Sequence, residues 1–463
     1  MKLLTRLACG SFHGLSLSRC LRSFHLVPDG QHPMEPITDS PAPTAAMDNP
    51  SWVLLHSRNS RWNNSIDAGA NTAAKTQTST GQRLRVAFDL AAPPATSVLH
   101  NECAEAAREE KYCSGLNIIA AHGDSVLLRM GRDRYPQPPA VPCDHFVYQA
   151  GGAGRPPSLS LLPLLKGMEK YKEGVEDPSF RPLLSHDTGI LRRGDRDLLV
   201  ARIEVLIEDD DGRPMAHLCL LRPGMSQWEH KRLVPVVHEE GEETMGPLCG
   251  PNMAIPVGDR FLCWVGDHDG FILCDMADDK SPKLRYIPLP GMPYDPNYYS
   301  DDHDLFPLTD SENMGAAGPG VVRFVAIEPR CCCGGFGRSS CPRSGYAFTL
   351  TTWKLTLTMD EPVTWVKESL MDCEELWGLP GYEGIPRVHL QCPVVSLDNP
   401  DVVSFRVVSN TDRKAWTIQV SSFQLFNRIA ELGLSNENSI STTGVPDIHS
   451  TQEHILLSQI AIL

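Results

Sequence analysis

Apolar residues in this chain come in short blocks, and the blocks are cut by glycine and aspartate. Between Gly258 and Pro290 the block FLCWV is cut by GDHDG, FILCDM resumes it, ADDKSP cuts it again, and LRYIPLP closes it. Glycine and aspartate adopt turn conformations that a branched residue resists, so the cuts read as hairpin turns and the blocks as strands. The cycle recurs in looser form. LNIIAAHGDSVLLRM, DHFVYQA and PSLSLLP make one; GILRRGDRDLLVARIEVLIE and AHLCLLRPGMSQWEHKRLVPV make another; MAIPV precedes the stretch above. GVVRFVAIEP, YAFTLTTWKLTLTM and VTWVKES follow it, and VHLQCPVVSL, VVSFRVVS, AWTIQVSS and FQLFNRIAEL come last.

Radial repetition of small sheets hides strand edges, so the expected fold is all-β, a β-propeller-like array of about six small antiparallel sheets. Trp228, Tyr286 and Trp365 close three of the cycles at comparable places. Val126, Phe261, Val322 and Val394 are read as equivalent inner-strand positions, all apolar. The cycles run to roughly 50–80 residues against the ~40–50 of regular repeat families, which leaves two-layer β-sandwich domains as the alternative. Helix is expected only in LLKGMEKYKEG and KESLMDCEELWGL, the latter with Leu370, Cys373, Leu376 and Trp377 at helical spacing.

The ordered domain is expected over 47–432, opening on the strand WVLL at Trp52–Leu55. Arg58–Gln82 is polar and reads as a long surface loop. The strands at 83–100 are expected to close the ring by joining the last cycle. Residues 1–46 read as a disordered or targeting extension with a Pro-, Thr- and Ala-rich linker, and 433–463 as a polar C-terminal tail. Lys2, Arg6, Arg19 and Arg22, with no acid before Asp29, give the first residues the composition of an organellar transit peptide. That reading implies a mitochondrion or plastid. A basic tail, or a start at Met34 or Met47, implies the cytoplasm or nucleus.

Composition narrows the partners. A formal net charge of -15 disfavours a phosphate backbone, so nucleic acid is not the expected partner. No apolar run approaches the ~18–20 residues that cross a bilayer as a helix, so no membrane is expected either. HILLSQIAIL near the end is too short and is broken by Ser458 and Gln459. The 15 cysteines are odd in number and irregularly spaced, which reads as free thiols rather than a disulfide framework.

Several phrases taken together resemble a plant family expanded in grasses, the domain of unknown function 1618. They are PSWVLL, TSTGQRLRVAFDLAAPPATS, LCWVGDHDGFILCDM, LRYIPLP, VVSLDNPDVVSF and KAWTIQV. The resemblance places the named domain at about 257–396, with a looser pattern over most of Trp52–Leu432. It implies no catalytic residue, no cofactor and no metal ligand, and a similarity to the propeller-like modules that follow F-boxes. No F-box segment occurs in Met1–Pro50.

Four clusters carry candidate chemistry. Asp267, His268 and Asp269 have the side chains for a metal or a proton relay, but neighbours in a tight turn point apart. Asp301, Asp302, His303 and Asp304 lack the spacing, central glycine and terminal glutamate of an EF-hand. Cys331, Cys332, Cys333 and Cys341 have the four thiols of a zinc site without its C-x-x-C pairs, and read as an incidental Gly/Ser-rich loop. The acidic runs Glu208–Asp211 and Glu239–Glu243 read as solvated turns. A nucleophile elbow, P-loop, dinucleotide fingerprint and zincin helix are absent from the sequence. The expected function is a non-enzymatic module that binds another protein through loops 291–319 and 330–346. The alternative is a hydrolase or small-ligand binder with a central pocket.

Overall fold

The computed structural model describes residues 50–62, 71–103, 115–130, 143–152, 154–166, 180–194, 197–207, 214–238, 251–266, 270–290, 311–335, 337, 341–409, 414–421, 424–432 and 457–461. All of them belong to one compact unit, Asn49–Leu463; the other unit, Met1–Asp48, lies outside the described residues.

Strands dominate. Sheet 1 is ordered β2 (Ala74–Gln77), β3 (Arg83–Asp89), β4 (Thr96–Cys103), β1 (Trp52–Trp62) and β25 (Leu457–Ala461). Four consecutive antiparallel strands make each of the others. Sheet 2 is β5 (Leu116–His122), β6 (Ser125–Met130), β7 (Asp144–Gln149) and β8 (Ser158–Leu161). Sheet 3 is β9 (Thr188–Arg193), β10 (Asp197–Ile207), β11 (Pro214–Leu221) and β12 (Glu229–Val237). Sheet 4 is β13 (Pro251–Val257), β14 (Phe261–Gly266), β15 (Gly270–Asp275) and β16 (Lys283–Pro288). Sheet 5 is β17 (Glu312–Ala316), β18 (Val321–Pro329), β19 (Phe348–Thr356) and β20 (Val366–Asp372). Sheet 6 is β21 (Leu390–Val395), β22 (Val402–Ser409), β23 (Lys414–Ser421) and β24 (Gln424–Leu432). Sheets 3 and 4 are also joined at their outer edges, where Val236 and Val237 of β12 pair in parallel with Leu284 and Arg285 of β16.

The apolar blocks are continuous where an inner strand feeds two cores. In β14, Phe261, Cys263 and Val265 face the cluster shared with sheet 5, while Leu262 and Trp264 face the one shared with sheet 3. In β10, Leu198 and Val200 pack toward sheet 2 and Leu199, Ala201 and Ile203 toward sheet 4. A strand buried on one face alternates; a strand buried on both does not. Six such clusters among the described residues lie between successive sheets, the last joining Trp52 and Leu54 of sheet 1 to Val394 of sheet 6. The circuit is therefore closed, and β5, β9, β13, β17, β21 and β25 stand side by side around its middle. This is the propeller-like array. Sandwich domains, the alternative, would leave one face of each sheet toward water.

Local chemistry supports the repeat. The turns after β5, β9 and β13 each use a glycine at positive φ: Gly123 (58°), Gly194 (58°) and Gly258 (59°). Side chains with a Cβ rarely adopt that conformation. Arginines stitch neighbouring sheets. Arg285 of β16 donates to the carbonyls of Thr358 (3.0 Å) and Glu361 (2.6 Å) beyond β19. Arg323 of β18 reaches Asp401 at 2.9 Å and the Pro400 carbonyl, in the turn after β21. Trp228 and Trp365 are equivalent, each just ahead of an outer strand. Their indole N–H groups donate to proline carbonyls of the preceding sheet, Pro163 (2.9 Å) and Pro288 (2.8 Å). Tyr286 is not: it lies within β16 and is buried between sheets 3 and 4.

Other expectations are corrected. The ring is closed by β25, antiparallel to β1 from Trp52↔Ala461 to His56↔Leu457, so the segment read as a polar tail supplies a strand. The strands at 83–100 pair within sheet 1 and not with the last cycle. Within Arg58–Gln82, β1 continues to Trp62 and β2 occupies Ala74–Gln77. In 291–319, residues 312–316 form β17. Val126, Phe261 and Val322 sit on second strands (β6, β14, β18), and only Val394 is on a first strand, β21. The helix after Lys367 is a single turn, α1 (Cys373–Trp377). Asp372 ends the strand and caps α1 by accepting the Glu374 N–H at 3.0 Å. Leu370 is therefore an exposed strand residue, while Cys373, Leu376 and Trp377 are buried. Of LLKGMEKYKEG, the described part has no helix.

Candidate functional site

The first strands surround a cavity of about 370 Å³ in the middle of the ring. Ile118–Ala121 of β5, Met253–Pro256 of β13, Met314–Ala316 of β17 and Val394 of β21 supply its walls. The lining is small and apolar because adjacent strands approach closely here. A Cβ on Gly315 would fall 2.8 Å from Cβ of Val395, so the residue must be glycine. Such a cavity is within the usual size range for small-molecule sites, which pair apolar walls with a few polar groups.

Three polar side chains reach it: His122, Ser185 and Asn313. His122 ends β5, and its Nδ1 accepts the backbone N–H of Arg192 on β9 at 2.9 Å. Asn313 of β17 donates through Nδ2 to the Pro393 carbonyl on β21 at 2.6 Å. Each therefore ties one first strand to the next. Asn313 Oδ1 is buried and has no hydrogen-bond partner. The atom is closed off from a water-sized molecule, so it lies behind the cavity wall rather than facing the cavity. No carboxylate lies among the described lining residues.

Burial depresses the pKa of His122 to about 4, helped by the charge of Arg192. Burial likewise lowers His145 on β7 to about 3, with the charge of Arg129 adding to it; its Nε2 accepts the Leu183 N–H at 3.1 Å. Both imidazoles are neutral near pH 7. In the unfolded chain they protonate near pH 6.5, so between there and the folded values the unfolded state binds more protons. Stability should be flat above pH 7 and fall as pH drops from 6.5 to 5, by up to about 1.4 kcal/mol per pH unit for each group. Urea midpoints across that range test this, and His145→Asn should remove part of the slope, with His230 and His389, also lowered by burial, carrying some of the rest. A flat profile would contradict the assignment.

The sequence-read clusters separate sharply. Asp267, His268 and Asp269, Asp301–Asp304, Glu208–Asp211 and Glu239–Glu243 lie outside the described residues, as does most of loop 291–319. The cysteines do converge. The Sγ atoms of Cys331, Cys332 and Cys341 all lie within 4.8 Å of one another. Cys331 follows β18, and Cys341 precedes a 3-10 turn at Pro342–Gly345. Cys331 and Cys341 are buried; Cys332 and Cys333 are exposed. The turn is tightly held, with Cys331 N–H to Gly335 O (2.9 Å), Gly334 N–H to Cys331 O (3.0 Å) and Gly337 N–H to Pro329 O (2.7 Å). His122 and Asn313 escaped the sequence reading, His122 because it sits in the turn motif HGD and Asn313 because ENMGA has no apolar block.

No curated protein matches the chain. Among solved structures, the α-L-arabinofuranosidase Arb93A from Fusarium graminearum, in complex with an iminosugar inhibitor, is similar at 11% identity. The match covers 83% of this chain and 98% of that one, at a TM-score of 0.21, and bears on neither substrate nor mechanism. No described helix is long and apolar enough to cross a membrane. The family match begins at Trp264 within β14 and ends at Ser404 within β22, so it contains sheet 5 whole, cuts through sheets 4 and 6, and is not a separate folding unit. Residues 264–404 match the model of the family described as Protein of unknown function (DUF1618).

Proposed function

We propose that this chain is a non-enzymatic binding module whose central cavity takes a small, mainly apolar ligand. The observation that carries this is the cavity of about 370 Å³ in the middle of the ring, walled mainly by apolar residues of β5, β13, β17 and β21. A catalytic reading is weaker. The titratable lining residue, His122, already uses Nδ1 to hold β9, and burial keeps it neutral.

Recognition of another protein is a second reading. Val366 and Leu370, on outer strand β20, are 59% and 60% exposed, high for aliphatic side chains in a strand. One set of variants separates the two. Wild type should bind the apolar fluorophore anilinonaphthalene sulfonate saturably, and Ala316→Phe, which fills the cavity, should weaken it at least ~10-fold. Unchanged binding by Ala316→Phe would overturn the cavity reading. A protein captured by wild type and Ala316→Phe, but lost with Val366→Lys and Leu370→Lys together, would favour the second.

A further inference from the structure

We propose that Cys331, Cys332 and Cys341 form a thiolate site for Zn²⁺, its fourth position on the exposed side of the turn. The geometry is close to what the ion needs. Zn–S bonds of about 2.3 Å in a tetrahedron place sulfurs about 3.8 Å apart. Three sulfurs already within 4.8 Å of one another must close by no more than about 1 Å, which needs side-chain rotation only. Soft thiolates select zinc over the hard cations that prefer oxygen.

The surroundings favour the ionised form. The backbone N–H of Cys332 points at Cys341 Sγ at 3.4 Å. That donor, with the Cys331 thiol and the N–H groups of Ser344 and Arg343, pulls Cys341 down to about 6 against the cost of burial. Cys331 is pushed up, although the Cys333 N–H works to lower it, because the neighbouring thiols hold its proton. On binding, the ion displaces the thiol protons to solvent. Arg330 and Arg343 adjoin the cysteines in sequence and are tied to Asp372 and to Glu374 (3.8 Å) at the start of α1, which anchors both arms of the turn to sheet 5. The ion would clamp the β18–β19 connection to the end of sheet 5.

The test is zinc content of the full chain, prepared with reductant, exposed to Zn²⁺ and then desalted. We expect about one ion per chain, falling at least ~10-fold in Cys331→Ser and Cys341→Ser and unchanged in Cys219→Ala, a cysteine outside the cluster. Should the serine variants misfold, Co²⁺ titration of wild type stands in. A saturable thiolate-to-cobalt charge-transfer band, with joint protection of Cys331, Cys332 and Cys341 from alkylation, supports the site. Zinc retained by Cys341→Ser, no charge-transfer band, or a Cys331–Cys341 disulfide in chain prepared without reductant overturns it.

Discussion

A chain ending at residue 456 is expected to melt at least ~10 °C below the full chain, or to fail to reach a cooperative transition. The strand removed, β25, makes the five registered pairs with β1 that close sheet 1. It also stands between β21 and β5 at the middle of the ring. Without it β1 becomes a bare edge, and the small cluster of Trp52, Leu54 and Val394 opens to water. Those side chains are 5%, 0% and 1% exposed, so each forfeits close to its full burial energy, about 1.5–3 kcal/mol for an aliphatic residue. Calorimetry and small-angle scattering would report the loss as a lower transition and a larger radius. A peptide of residues 451–463 added in trans should restore part of it saturably. A truncated chain with an unchanged transition would show that the ring is held without β25.

Trp264→Ala should cost about 3–5 kcal/mol, the most of any single substitution considered. The indole is fully buried between sheets 3 and 4. Its Nε1 donates to the Asp187 carbonyl at 3.1 Å. Asp187 is itself fixed: Oδ2 accepts from Arg202 Nε at 2.8 Å, and Oδ1 accepts from Thr188 Oγ1 at 2.6 Å and from the Leu184 N–H at 3.1 Å. Alanine therefore opens a cavity and removes one of two donors to a carbonyl that also accepts the Ile203 N–H at 2.9 Å. Trp264→Phe separates the two effects, since it keeps most of the apolar volume and loses only the donor, at about 0.5–1.5 kcal/mol. Urea midpoints of the two variants measure both. Equal losses would mean the hydrogen bond, not the volume, carries the site.

What was legible in the sequence follows from how many faces a strand buries. Inner strands of sheets 2–4, such as FLCWVG, are packed on both sides and bounded by glycine, so block and boundary are both visible. β17 was not visible because it is short, sends Met314 as its one buried apolar side chain into a core, and carries glycine where Val395 leaves no room for a side chain. β25 was seen as an apolar run but had no local partner to identify it. The thiols of CCC were plain to see. Their meeting with Cys341 depends on hydrogen bonds to Gly335 and Pro329 that no spacing rule encodes.

The pairing of β1 with β25 spans about 400 residues and so imposes an order in time. A ribosome adding about 5–20 residues per second needs some 20–80 s between exposing the first of these strands and the second. Throughout that interval sheet 1 lacks its last strand, and for most of it Trp52 and Leu54 lack the neighbour that Val394 of sheet 6 later supplies. Such unpaired edges are the sites at which nascent chains aggregate. Production of this protein should therefore depend on chaperone capacity far more than its finished stability would suggest.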